Sequence, residues 1–216
     1  MKFPAKIPSI FKYIYPKLTW HLPRKEKVLY LTFDDGPTPE VTEWTLAQLE
    51  KYEAMASFFC IGQNVERYPT IFEKVKQKGH LIGNHTYRHF NGWKVSNAEY
   101  YEDIARCSRL VRSRFFRPPF GRITPIQSRY IFENPDILGV DKEPVIVMWE
   151  VVSFDFDKTL DKIECLNNVL NNAQAGSIIV FHDSKNAANN LKYALPKVLE
   201  HFAQQGFRFE KLPFEA

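Results

Sequence analysis

From residue 26 to near its end the chain alternates strand-like and helix-like runs, about seven times over. The strand-like runs are VLYLTF, ASFFCIG, HLIGNH, FFRPPF, VIVMWEV, SIIVFHD and FRFEKL. Helical patterns lie between them. One starts near Thr38-Pro39 and puts Val41, Trp44, Leu49 and Tyr52 on one face. Others cover VERYPTIFEKVKQK up to Gly79, Ser96 to about Ser113, a short stretch after FFRPPF, LDKIECLNNVLNNA up to Gly176, and the region before FRFEKL. Strands separated by helices run parallel and are joined by right-handed crossovers. The class is therefore α/β, either an open doubly wound sheet or a barrel.

With 216 residues, 44% of them hydrophobic, there is material for one well-filled core and little for a second. The expected organisation is one domain over 26–216, preceded by a basic and aromatic segment over 1–25. That segment mixes Lys2, Lys6, Lys12 and Lys17 with Phe3, Ile7, Ile10, Phe11, Ile14 and Tyr15. It suits packing on its own domain, or resting on an anionic membrane surface. It lacks the apolar run and cleavage site of an export signal, and no stretch is long enough to span a bilayer. A cytoplasmic protein is expected, with the inner membrane surface as the alternative. The net charge of +4 is mild and its charges are interspersed, which argues against a nucleic-acid partner. Cys60, Cys107 and Cys165 are odd in number and widely spaced, so they are expected as reduced core residues.

Most of the informative polar residues stand where strand runs end: Asp34 and Asp35, His85 and His89, Arg117, Asp155 and Asp157, His182 and Asp183. In parallel α/β folds those ends share one rim, so residues scattered along the chain converge there. Asp34 and Asp35 are neighbours on a strand, which places them on opposite faces and predicts different jobs. The spacing of His85 and His89 is that of successive helical turns, which lets both imidazoles meet one metal ion. A carboxylate from another strand end completes a His-His-Asp set with open coordination positions, as in zinc hydrolases and non-heme iron oxygenases. Arg117 precedes two prolines that hold the backbone extended, which fixes its side chain. His182 sits at a strand tip, where a rim carrying a metal and a spare carboxylate needs a proton donor.

These segments resemble a known family. TFDDGP, HTYRH, RPPFG, MWEVVSFDFD and VFHD follow the order and spacing of the polysaccharide deacetylases with a NodB homology domain, carbohydrate esterase family 4, from about Val28 to about Phe209. The resemblance implies a distorted (β/α) barrel of about seven parallel strands, and hydrolysis of an N-acetyl or O-acetyl group on an acetylated sugar or glycan. It implies one divalent metal on Asp35, His85 and His89: zinc first, with cobalt, nickel or manganese as alternatives. By the same carry-over Asp34 is the general base, Arg117 holds it, and the Phe120 N–H stabilises the oxyanion. His182 is the general acid with Asp155 biasing its charge, while Trp149 and Val180 wall the acetyl pocket. Where many members have Asp-Trp this chain has Asp155-Phe156-Asp157, so Asp155, which aligns with the motif, is expected to partner His182 and Asp157 is the alternative. A catalytically silent carbohydrate-binding domain is the competing reading; the intact ligand set argues against it. An iron oxygenase is disfavoured, because such sites usually sit on all-β jelly rolls.

Overall fold

The structure, a computed structural model, describes residues 4–213, so Lys2 and Phe3 lie outside the described residues. Its strands are β1 (Val28–Asp34), β2 (Ser57–Cys60), β3 (Leu81–Asn84), β4 (Phe115–Phe116), β5 (Val145–Ile146), β6 (Val151–Val152), β7 (Ile178–His182) and β8 (Arg208–Phe209). The order is β5-β4-β3-β2-β1-β7-β6, with β8 added at the start of β1, and every pair is parallel. Seven strands thus curl into a half-barrel, the distorted barrel that the motifs led one to expect. The helices are α1 (Ile10–Ile14), α2 (Val41–Glu50), α3 (Gly62–Arg67), α4 (Pro69–Gln77), α5 (Asn97–Ser108), α6 (Pro125–Glu133), α7 (Lys162–Leu170) and α8 (Ala188–Gln204).

Strand alternation divides the core in two. Leu29, Leu31 and Phe33 of β1 pack with Phe58, Phe181 and the helix residues Leu46, Leu49, Leu195 and Val198. The other face carries Val28 and Tyr30 against Phe59, Phe115, Val147 and Ile178. Along β1 that second face climbs Val28, Tyr30, Thr32, Asp34, apolar at the base and polar at the carboxyl end. The site sits on that end. Cys60, Cys107 and Cys165 are free and buried, as expected.

Two elements differ from the sequence reading. VERYPTIFEKVKQK forms two helices, because Pro69 supplies no N–H and forces Tyr68 out of helical geometry (φ −130°, ψ 56°). VIVMWEV is not one strand. Its start pairs with β4 and its end with β7, so the run crosses from one edge of the half-barrel to the other. Between them the Met148 N–H donates to the Thr19 carbonyl, and the Thr19 N–H donates to Ile146.

The segment before β1 therefore meets both edges: Thr19 bridges to Val147 and Lys6 to Val151. Glu150 anchors it. This carboxylate, nearly inaccessible, accepts from Lys12 at 3.0 Å, Arg24 at 2.8 Å and Ser177 at 2.8 Å. Burial works to raise its pKa, but those hydrogen bonds outweigh burial and bring it down to about 2. Glu150→Gln is expected to cost about 1–3 kcal/mol in thermal unfolding and to speed cleavage by trypsin within residues 4–25. Because the folded pKa is depressed, this contribution is complete above the unfolded value of about 4.3 and fades as pH falls towards 2. Among the described residues no helix is long and apolar enough to cross a membrane.

Candidate active site

Asp34 ends β1 and the chain then turns at once. Asp35 takes a left-handed conformation (φ 79°), so the strict strand alternation expected for the pair does not apply. Both carboxylates face His85: its Nε2 lies 4.0 Å from Asp34 Oδ2 and 3.7 Å from Asp35 Oδ1. The turn is held from β7. The Asp183 carboxylate accepts from the Gly36 N–H at 3.1 Å and from the Thr42 hydroxyl, which itself accepts from the Thr38 N–H at 2.7 Å. A Cβ at position 36 would stand 2.0 Å from Asp183 Oδ2, so glycine is required there. Asn64 ties down the far side by donating to the Asp35 carbonyl at 2.7 Å.

His85 and His89 meet, with ring centroids 5.0 Å apart. They do so from a loop rather than a helix, contrary to the spacing argument, because Thr86 and His89 both take positive φ (60°). His85 Nδ1–H donates to the Arg117 carbonyl at 2.7 Å, which leaves Nε2 as a lone pair turned to the site. Burial pushes its pKa down to about 4 against the pull of Asp34, so the ring is neutral.

The atoms of Asp35, His85 and His89 that can bind a metal all lie within 4.8 Å of one another. His89 Nε2 is 3.2 Å from Asp35 Oδ1 but off the line of a hydrogen bond, so that buried oxygen has no donor. Burial works to raise the Asp35 pKa; the neighbouring His89, His182 and His85 overcome it and hold the carboxyl well below its usual range. A buried carboxylate oxygen without a donor beside two imidazole nitrogens fits a divalent cation.

Arg117 explains why Asp34 stays apart from that set. Its guanidinium is fully buried and donates to Asp34 Oδ1 at 2.7 Å, Thr32 Oγ1 at 2.7 Å, Val147 O at 3.1 Å and Met148 O at 2.9 Å. One Asp34 oxygen is thereby fixed, and the other is the one turned to the site. Across the rim, His182 Nδ1 meets Asp155 Oδ1 at 2.7 Å, and the His182 N–H donates to Asp155 Oδ2 at 2.8 Å. Burial acts to lower the His182 pKa, but the Asp155 charge and hydrogen bond outweigh it and lift it to about 9. Asp157 instead accepts from the N–H and hydroxyl of Thr159, so the geometry pairs His182 with Asp155.

The remaining expected residues line the same rim. Phe120 (φ 59°) lays its exposed ring 4.5 Å from His89, and Phe156 stands edge-on 4.9 Å from His182. Trp149 packs against Gly121, its Nε1 buried without a partner, and the Arg117 guanidinium lies 5.8 Å from its ring. Val180 is buried two residues before His182, in register with Thr32 and Val152.

Residues 21–131 match the polysaccharide deacetylase family. The chain is 33% identical over 198 residues to a peptidoglycan-N-acetylglucosamine deacetylase of Bacillus cereus, covering 89% of each protein. This chain belongs to the polysaccharide deacetylase family. The chitooligosaccharide deacetylase of Azorhizobium caulinodans is 33% identical over 168 residues, 74% of this chain and 75% of that one. A crystal structure of the Bc1960 peptidoglycan N-acetylglucosamine deacetylase, bound to a naphthalenyl N-oxidanyl-benzamide, matches with a TM-score of 0.84 at 31% identity, over 96% of this chain and 95% of that one. The curled α/β sheet is thus the NodB-like fold of carbohydrate esterase family 4. Within the polysaccharide deacetylase frame, sequence reasoning gave no job to Thr32, Thr42, Asn64 and Asp183. Asp183 did stand out in VFHD, but its partners Gly36 and Thr42 could be found only in three dimensions.

Proposed function

We propose that this chain hydrolyses the N-acetyl group of an amino sugar in a glycan, using one divalent ion, zinc in the first instance, on Asp35, His85 and His89. The observation that carries the reading is the division between two adjacent carboxylates. Asp35 presents a buried oxygen without a donor to two imidazoles, while Asp34 is locked by Arg117 and keeps one oxygen turned to the site. The ion would polarise the acetyl carbonyl and acidify the attacking water. Asp34 then accepts the proton of that water as general base; its basicity is preserved because it does not itself serve as a ligand.

The Phe120 N–H, next to the ring that touches His89, donates to the oxyanion as charge develops. Trp149 and Val180 give the methyl group an apolar wall. His182, held protonated through Asp155, hands its proton to the departing nitrogen. That proton donor favours an N-acetyl substrate, because an amine leaves only once protonated, whereas the alcohol of an ester departs more readily.

The test is acetate release from N-acetylglucosamine oligomers and O-acetylated sugars, with metal-stripped protein and with zinc or cobalt restored. Release from the N-acetyl substrates that appears only with metal is the expected result. Stoichiometric metal binding without release from any substrate would favour a silent glycan-binding domain instead.

A further inference from the structure

A tryptophan side chain open to water is unusual, because its large ring gains most from burial. Trp93 is 56% exposed and nevertheless stands on a braced turn. The Trp93 backbone N–H donates to Asn91 Oδ1 at 3.0 Å, and the Lys94 N–H donates to the Asn91 carbonyl at 2.9 Å, closing a tight turn. The Gly92 carbonyl accepts from Gln127 Nε2 at 2.8 Å, and a Cβ on Gly92 would stand 2.6 Å from the Arg122 carbonyl. The ring is thus presented on a fixed turn braced against the segment that follows Phe120.

Arg122 completes the surface. Its guanidinium lies 4.2 Å from the centroid of the Trp93 ring, and among the described residues it makes no hydrogen bond or ion pair with a protein group. Stacking fixes the plane of a guanidinium while leaving its N–H edges free to donate. Trp93 is four residues past His89, so its Cα lies within about 14 Å of the proposed metal ligand by chain reach alone. Phe120, 58% exposed, lays its ring against His89 and stands two residues before Arg122. Phe120 against His89, and Arg122 over Trp93, thus carry the exposed surface from the proposed metal ligand to the indole.

We propose that Trp93 and Arg122 are a second sugar subsite, which takes the ring next to the one that carries the acetyl group. The apolar C–H face of a pyranose ring suits the open indole, and its hydroxyls suit the free guanidinium edge. A braced aromatic also binds with little loss of conformational freedom. The inference rests on the deacetylase reading and deepens it: Trp93 and Arg122 give the neighbouring ring of the glycan its place on this chain.

The experiment measures kcat/KM of the zinc-loaded protein on N-acetylglucosamine and its dimer, trimer and tetramer, for the parent, Trp93→Ala, Trp93→Phe and Arg122→Gln. Binding of the fully deacetylated oligomers is followed by calorimetry on the same proteins. In the parent kcat/KM is expected to rise at least about tenfold with chain length, as for removal of one well-placed aromatic anchor. Trp93→Ala should flatten that rise and weaken oligomer binding by a similar factor, with Trp93→Phe recovering part of both and Arg122→Gln intermediate. Unchanged chain-length dependence in Trp93→Ala overturns the subsite while leaving the deacetylase intact. If the parent releases no acetate from any oligomer, the deacetylase reading fails, and calorimetry alone decides: oligomer binding lost in Trp93→Ala supports the subsite, and absent binding in the parent overturns it.

Discussion

Asp34→Asn is expected to lower kcat by about 10²–10⁴-fold while zinc affinity, measured by calorimetry, stays within a few-fold of the parent's. Asparagine keeps the shape and an amide oxygen for the Arg117 Nη1–H that now reaches Asp34 at 2.7 Å. It has no carboxylate with which to take a proton. Because the proposed metal-binding set is Asp35, His85 and His89, deleting the Asp34 charge leaves that set intact. Equal loss of metal and rate would make Asp34 a ligand, and an unchanged kcat would remove it from the chemistry. The folding cost is distinct: Arg117 is fully buried, and removing the partner of a buried charge costs about 3–5 kcal/mol. Rates are therefore compared well below the variant's melting temperature. Arg117→Met should be as inactive for another reason, since it frees the Asp34 side chain and leaves the Val147 and Met148 carbonyls without their donor.

The architecture was legible from the alternation of runs, because period and length separate strand from helix before any contact is known. What the alternation could not say was which strand pairs with which. VIVMWEV reads as one strand by propensity, yet its two ends serve opposite edges of the half-barrel; only the positions of β4, β7 and Thr19 make that visible. The residues of the candidate site were legible as types at strand ends. Their orientations were not. Strand alternation would send Asp34 and Asp35 to opposite sides, and helical spacing would stack His85 over His89. The chain reaches the same convergence through positive φ at Asp35, Thr86 and His89. A non-glycine residue holds such a backbone where the surrounding structure imposes it, here through Asp183 on Gly36 and Asn64 on the Asp35 carbonyl. Those partners are distant in sequence, so no local pattern announces them.

Asp155→Asn is expected to move the His182 pKa down from about 9 towards the ordinary 6.5. Burial alone favours the neutral ring; the Asp155 carboxylate, at 2.7 Å from Nδ1, is the first of the charges that reverse that preference, ahead of Asp35 and Asp34. Asparagine retains an oxygen to accept from Nδ1–H but not the charge, so burial is opposed only by the more weakly acting Asp35 and Asp34. In the proposed reaction the parent at pH 7.5 holds a proton ready for the departing amine and the variant holds it less often, which is expected to lower kcat by about 10²-fold or more. The sign extends to stability. A group whose folded pKa is raised contributes fully below its unfolded value, near 6.5, and its contribution is lost as pH climbs towards 9. The parent should therefore lose stability across that window, and Asp155→Asn should lose less. Imidazole NMR titration of the metal-free protein and melting curves from pH 6 to 10 read both effects. Asp157→Asn is the control: its carboxylate is bound to Thr159, so the His182 titration should stay in place. A large shift in Asp157→Asn and none in Asp155→Asn would reassign the partner, and with it the way this active site keeps its acid charged.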